Sequence, residues 1–328
     1  MNNWRSIFVL CIITALWAAA CATAAALREV QEAEPALEPS SSEVTADDAQ
    51  QELVFTDDLG NELRFAHYPQ AIVSLSPSTS EILFAVGAGG QMVGRDEMST
   101  YPAEALALES VGAMWGDLPV ESILAAQPDL IVVAQIISAE TVAALQELGL
   151  QVYWQANPAT FDDLYQNLRD LAALTGNDGQ VEALIADLQA RVAAVGTILA
   201  EADNTPSVFY ELDATDPANP WTAGSGTYVD YIISLAGGSN VASMLAGDYA
   251  QISSETLITA NPDVILLADA PFGVSPESVA QRAGWSAIAA VVNNAVFPFD
   301  PETLSIPGPR SVDGLEAMAR LLHPQLFE

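Results

Sequence analysis

The stretch VESILAAQPDLIVV, residues 120 to 133, returns as SETLITANPDVILL, residues 254 to 267, at a constant offset of 134 positions. Each copy carries a glutamate at a helix start, Glu121 or Glu255, runs through a short helix, and turns at a Pro-Asp into an unbroken apolar run. The residue before a proline is pushed out of the helical region, so both helices stop there. An apolar run after such a stop reads as a strand buried on both faces, the kind that builds parallel sheets. One such unit is an ordinary α/β connection. Two of them at comparable depth in a chain of 328 residues, too long for one ordinary core, predict two halves built on one plan.

The flanking pattern agrees. LVFTDDLGNELRF (53 to 65) reads as a small hairpin. AIVSLSP (71 to 77) is a buried strand, STSEILFAVGA a helix opened by Ser78 or Thr79 with Glu81 placed to complete a capping arrangement, and QMVGR a strand. Helices and strands then alternate as far as the helix TFDDLYQNLRDLAALTG, which stops at Gly176. Residues 178 to 202 form a long helix with no proline, at the middle of the folded part. Beyond it the alternation begins afresh with SVFYEL (207 to 212) and ends in a helix reaching Leu322. The predicted class is α/β: two Rossmann-like lobes with parallel sheets, residues 53–176 and 204–328, joined by one long spanning α-helix, residues 177–203. A cleft between such lobes is a favoured ligand site.

Charge narrows the functions. The net charge is −34, with 43 acidic residues against nine basic ones, all arginine, and no lysine. Nucleic-acid binding, which depends on cations that neutralise phosphates, is excluded on this balance. Schiff-base lysine chemistry and the phosphate-binding P-loop lysine fall with it. GAGGQMVG (87 to 94) places Met92 where a dinucleotide fingerprint needs its third glycine. TAGSGTY (222 to 228) lacks the spacing of a nucleophile elbow, and the two histidines, His67 and His323, lie at the edges of the folded region. Neither a Ser-His-Asp machine nor a histidine-rich metal site is expected, so the protein reads as no enzyme, with no cofactor or metal of its own. Excess carboxylates are relieved by protonation or salt, which fits work outside a cell.

The start of the chain supports that placement. MNNWR followed by SIFVLCIITALW and the small residues Ala18, Ala19 and Ala20 before Cys21 reads as an export signal over residues 1–21. Small residues directly before a cysteine resemble a bacterial lipoprotein signal, in which Cys21 carries the lipid. The alternatives are a cleaved secretory signal and an uncleaved anchor. Residues 22–52, rich in Glu, Pro, Ser and Ala, have the composition of a disordered acidic tether.

Candidate binding residues are aromatics and methionines in the loops beside strands: Met98, Tyr101, Met114, Trp115, Trp221, Tyr228 and Tyr249. Such rings offer broad faces to a bulky planar ligand. Each of them can equally close over its own lobe. Arg95 and Arg310 suit a carboxylate, phosphate or chelate anion, or ion pairs with the abundant acids.

Several stretches in one order, AIVSLSPSTSEILFAVGAG, STYPAEA, SVGAMWG, VESILAAQPDLIVV and ITANPDVILLA, are similar to signature stretches of the ABC-transporter substrate-binding proteins of the helical-backbone class, Fe-siderophore and cobalamin branch. The resemblance covers about residues 53 to 328. It implies a rigid linking helix, a ligand held between the lobes as a monomer, and delivery to a membrane permease. By motif position it implies that Tyr101, Met114 or Trp115, Trp221 and Tyr249 contact the ligand. It also implies that Glu121 and Glu255 dock onto permease arginines. A glutamate at a helix start needs no partner, since the helix dipole alone favours it by about 0.3–1 kcal/mol. Among ligands, cobalamin suits an aromatic, nearly uncharged cleft better than a ferric siderophore does, with haem as a further alternative; an enzyme or a surface interaction protein on the same plan stands as another class.

Overall fold

The structure is a computed structural model that describes residues 52–114, 118–245 and 249–327. The leader with Cys21, the tether up to residue 51, and Trp115 lie outside the described residues.

Leu53–Thr56 (β1) and Glu62–Phe65 (β2) pair as the expected hairpin, whose turn is tied by Asp57 accepting the N–H groups of Leu59 and Asn61. The first lobe follows: Ile72–Ser74 (β3), Pro77–Ala85 (α1), Met92–Asp96 (β4), Glu109–Gly112 (β5), Val120–Ala125 (α2), Leu130–Ala134 (β6), Ala139–Glu147 (α3) and Val152–Gln155 (β7). Its sheet has five strands in the order β5-β4-β3-β6-β7, all parallel. The start of α1 differs from expectation. Ser76 caps it by accepting the N–H of Thr79, Pro77 takes the first helical position, and Glu81 turns inward to 2% exposure. A cap two residues earlier than Ser78 puts Thr79 in the third helical position and leaves Glu81 beyond the reach of the capping arrangement, free for another partner.

Phe161–Thr175 (α4) ends at Gly176, in the left-handed region at φ 73°, and gives way to the 22-residue linking helix Asp178–Leu199 (α5). The second lobe contains Ser207–Asp213 (β8), Trp221–Ala223 (β9), Tyr228–Leu235 (α6), Ser239–Asn240 (β10), Tyr249–Gln251 (β11), Ser254–Ala260 (α7) and Val264–Leu267 (β12). Pro276–Ala280 (α8), Ala289–Val292 (α9), Val296–Pro298 (β13), Glu302–Ser305 (α10) and Ser311–Leu322 (α11) complete it. Its six-stranded sheet runs β11-β9-β8-β12-β13 with β10 also beside β8. β8, β10, β12 and β13 are parallel, whereas β9 runs antiparallel to both β8 and β11. The reason is length: residues 214–220 are too few for a helical crossover, so the chain turns straight back. Both β9 and the edge strand β11 fall in stretches expected as loops.

Helix α5 joins the lobes through packing on both sides. Val181, Ile185, Leu188 and Val195 belong to one buried cluster that runs from Ile72 and Leu83 in the first lobe to Ile232 and Leu315 in the second. Arg169 of α4 pairs with Glu182 at 2.6 Å, and Arg191 reaches Glu316 of α11 at 2.9 Å and Asp313 beside it. The first lobe's Phe161 also meets Tyr228 and Tyr231 of α6 edge to face, with ring centroids 6.0 and 5.9 Å apart.

The repeated stretch has a specific job at its strand end. Asp129 accepts the N–H groups of Gln70 and Ala71 at 2.7 and 2.9 Å, just ahead of β3. Asp263 accepts the N–H and hydroxyl of Ser207, the first residue of β8, at 2.9 and 2.7 Å. Each carboxylate clamps the start of the neighbouring central strand. Gln127 and Asn261, 134 positions apart, both take the left-handed conformation at φ 50° and 48° and make the preceding turn alike.

Candidate functional site

In each sheet the chain leaves the central strand in opposite directions, β3 lying between β4 and β6, and β8 between β9 and β12. Open α/β sheets bind ligands beyond the carboxyl ends of their strands at such a switch point. The loops there carry Met98 and Tyr101 after β4, and Trp221 across from Asp213, the last residue of β8.

A crevice of about 420 Å³ opens between the lobes, lined by Glu81, Phe84, Ala85, Tyr101, Pro102 and Glu104 from the first and Pro309 and Arg310 from the second. Arg310 spans it. Its backbone N–H donates to Glu81 Oε1 at 2.9 Å, its Nε to Glu81 Oε2 at 2.8 Å, and its Nη1 to Glu302 Oε2 at 3.0 Å. Its Cζ stands 3.8 Å from the centroid of the Tyr101 ring. Burial is the largest influence on the Glu81 carboxyl and raises its pKa, while the hydrogen bonds and charge of Arg310 pull it back in part. Burial works against the Arg310 charge too, but Glu81 and Glu302 outweigh it and hold the proton more firmly. Of the two readings of Arg310, the ion pair with acids is the one formed here. The residue still borders the crevice.

The loop that carries Tyr101 is fixed from below. A chain of buried hydroxyls runs Ser76, Thr79, Ser74, Ser80, Ser99 with 2.7–2.9 Å between successive oxygens, and the Ser99 hydroxyl donates to Asp96. Asp96 also accepts the Met98 N–H at 2.9 Å. Burial raises the Asp96 pKa against these hydrogen bonds. Arg95, expected as a receptor for an anion, is instead buried and donates to the carbonyls of Ala105, Asp96 and Glu97. Desolvated backbone carbonyls need donors, and this arginine supplies them.

Trp221 and Tyr249 come together on the edge of the second sheet. The register pairs Trp221 with Gln251 and Tyr249 with Ala223, which puts the two rings on one face as diagonal neighbours. Tyr101, in the loop after β4, and Trp221 and Tyr249, on β9 and β11, are 43%, 44% and 51% exposed and offer broad aromatic surfaces. Met114 is half-buried and packs against the first lobe's core around Val73 and Ile131. Tyr228 is buried in the aromatic contact between the lobes, and its ring is unavailable to a ligand. Glu121 and Glu255 lie exposed in the first turns of α2 and α7. These helices run back along the strands they precede, so both glutamates stand at the carboxyl-end side of their sheets, where the cleft loops are.

What the sequence reading missed is Glu81 with Gly308. Both had a visible signal: an acid inside the apolar helix SEILFAV, and a glycine between two prolines, PGP. The second lobe has its own buried pair, Glu211 and Arg282, the latter 4.5 Å above the Trp285 ring. Beside it Asp269 is 4% exposed, with Oδ2 accepting the Ala214 N–H at 3.1 Å, and burial followed by repulsion from Glu211 pushes its pKa up to about 6.

Comparison with known proteins gives consistent relatives. Residues 72–303 match the family model described as periplasmic binding protein. An uncharacterized ABC transporter substrate-binding lipoprotein, YvrC of Bacillus subtilis, is 29% identical over 286 residues, covering 84% of this chain and 87% of its own. The vitamin B12-binding protein of Vibrio cholerae is 29% identical over 259 residues, covering 77% of this chain and 89% of its own. Among solved structures, the periplasmic heme-binding protein RhuT of Roseiflexus sp. RS-1 superposes with a TM-score of 0.70 at 28% identity, over 78% of this chain and 99% of that one. The periplasmic vitamin B12-binding protein BtuF of Vibrio cholerae does so with a TM-score of 0.68 at 27% identity, over 79% and 99%.

Proposed function

The chain belongs to the periplasmic binding protein family, and from that premise we propose that it is the substrate-binding component of an ABC importer, taking a neutral metal chelate of the cobalamin type and delivering it to the membrane permease. No bond is made or broken in this role. The lobes hold the ligand, Tyr101, Trp221 and Tyr249 supply the faces that clasp it, and Met114, Trp115 and Arg310 border it. Cys21 anchors the protein by its lipid outside the cytoplasm, and the acidic tether lets it search the membrane surface near the permease. Glu121 and Glu255 dock one lobe each onto permease arginines.

The observation that carries the choice of ligand is the state of the arginines. Among the described residues Arg64, Arg169, Arg191, Arg282 and Arg310 are paired with carboxylates, Arg95 with carbonyls, and Arg320 lies 5.0 Å above the Phe327 ring. The crevice adds Glu104, and Glu302 holds Arg310 from its side. A polyanionic ferric catecholate finds repulsion there, whereas a corrinoid ring with amide side chains needs aromatic surface and hydrogen bonds.

Titrating the full chain with cobalamin, haem and a ferric catecholate, followed by tryptophan fluorescence, tests this. Cobalamin is expected to bind at least about tenfold more tightly than the catecholate, a difference of about 1.4 kcal/mol. Preference for the catecholate would overturn the ligand assignment, and preference for haem would move it to the heme-binding relatives. For docking, the double variant Glu121→Ala, Glu255→Ala should abolish stimulation of the permease while leaving the ligand Kd within about twofold; a matching loss of ligand affinity would refute the docking role.

A further inference from the structure

Arg310 belongs to the second lobe, yet its backbone N–H, its Nε and the face of its guanidinium all engage the first. Glu81 takes both its backbone N–H and its Nε, and Tyr101 lies flat beneath its guanidinium. Glu302 of its own lobe takes Nη1 at 3.0 Å. The carboxylate can come this close only because residue 308 has no side chain: a Cβ on Gly308 would stand 2.9 Å from both Cδ and Oε1 of Glu81. Glu81 is 2% exposed, and its pair is therefore desolvated, so withdrawing Arg310 would strand a buried carboxylate. Tyr101 in turn is gripped from two sides. Arg95, Asp96 and the hydroxyl chain fix its loop from within the first lobe, and the guanidinium of the second lobe covers one face of its ring.

We propose that Glu81, Gly308 and Arg310 form a clasp across the cleft that sets the position of the Tyr101 ring, making them positioning residues for the ligand rather than contacts of it. The clasp links the width of the cleft to the orientation of its aromatic wall. The lobes cannot part at this point without releasing Tyr101, and Tyr101 cannot swing without exposing the ion pair. It also accounts for the weak pull of Arg310 on an anion: Glu81 and Glu302 both balance its charge. The inference rests on the reading of the crevice as a chelate site.

The test combines cobalamin affinity with hydrogen exchange on the full chain. Glu81→Gln and Arg310→Gln are each expected to raise the cobalamin Kd about tenfold, mainly through faster dissociation, and Gly308→Ala to do so in smaller measure with both charges in place. In a Tyr101→Leu background the same changes should cost less than about twofold, because residues acting through one group are not additive. A full tenfold loss surviving in that background would show that Arg310 touches the ligand itself and would overturn the clasp. So would an effect of Glu302→Gln as large as that of Glu81→Gln. Backbone exchange over residues 97–105 and 306–311 should speed up together in Glu81→Gln and Arg310→Gln, with or without ligand, and unchanged exchange in either segment would sink the proposal. If the unaltered protein binds no chelate, the assigned function fails, and the exchange measurement still decides the clasp.

Discussion

In a protein with nine arginines and no lysine, what each arginine touches decides how much positive charge remains for anything else. Arg310 and Arg282 both close on buried glutamates and both lie over aromatic rings, at 3.8 and 4.5 Å. The second of these arrangements contains an excess acid, Asp269, whose carboxyl is buried and pushed up to about 6 by desolvation and by Glu211. The sign follows from linkage. A carboxyl whose folded pKa exceeds its unfolded value of about 3.9 binds its proton more tightly when folded, so it contributes stability below about pH 4 that is lost as pH rises through 6. The expected loss is on the order of 2 kcal/mol by pH 7. Asp269→Asn should therefore raise the melting temperature at pH 7 by several degrees and flatten its fall between pH 4.5 and 7, a comparison thermal denaturation by circular dichroism checks directly. An unchanged slope would mean that other carboxylates set it.

At the scale of elements, the duplicated stretch divides its labour between its two ends. The glutamates at the helix starts are exposed, while the aspartates after the prolines each accept two hydrogen bonds from the segment that opens the central strand. The role of the aspartates is structural: they stand just ahead of β6 and β12 and tie in the starts of β3 and β8, the strands beside them. Hydrogen bonds to a charged acceptor contribute about 1.5–3 kcal/mol when enclosed and less at the surface. Asp129→Ala and Asp263→Ala should each lower stability to urea by about 1–2 kcal/mol. Because they sit in different lobes, their effects should add. Ligand affinity should stay unchanged in both, which separates them from Glu81.

For the molecule as a whole, α5 makes two lobes into one folding unit. Its buried residues belong to a cluster that includes both halves, and its ion pairs reach α4 on one side and α11 on the other. The unfolding of residues 53–328 should accordingly appear in calorimetry as one transition whose calorimetric and van't Hoff enthalpies agree. Two resolved transitions would mean that the lobes melt separately. With a net charge of −34, that transition should also move upward as salt is raised toward about 1 M, where the screening length is about 3 Å.

Short-range pattern encodes the α/β alternation, the repeat of helix, Pro-Asp and strand, the long unbroken helix between the halves, and the shortage of cations. Each of these is a property of neighbours along the chain, set by side-chain period, by proline's effect on the residue before it, and by composition. The antiparallel pair β9 and β11 lies outside that reading because strands of three residues in loop-like stretches look like loops until a neighbour pairs with them. Tyr228, a cleft candidate by its place in the chain, lies in the core, where it packs against Phe161, 67 positions earlier. Glu81 and Arg310 lie 229 positions apart, and nothing local to either marks the other as its partner. Only the packing of both lobes on α5 brings the carboxylate to the guanidinium and the guanidinium to Tyr101, because a desolvated charge takes whichever opposite charge the fold places within reach.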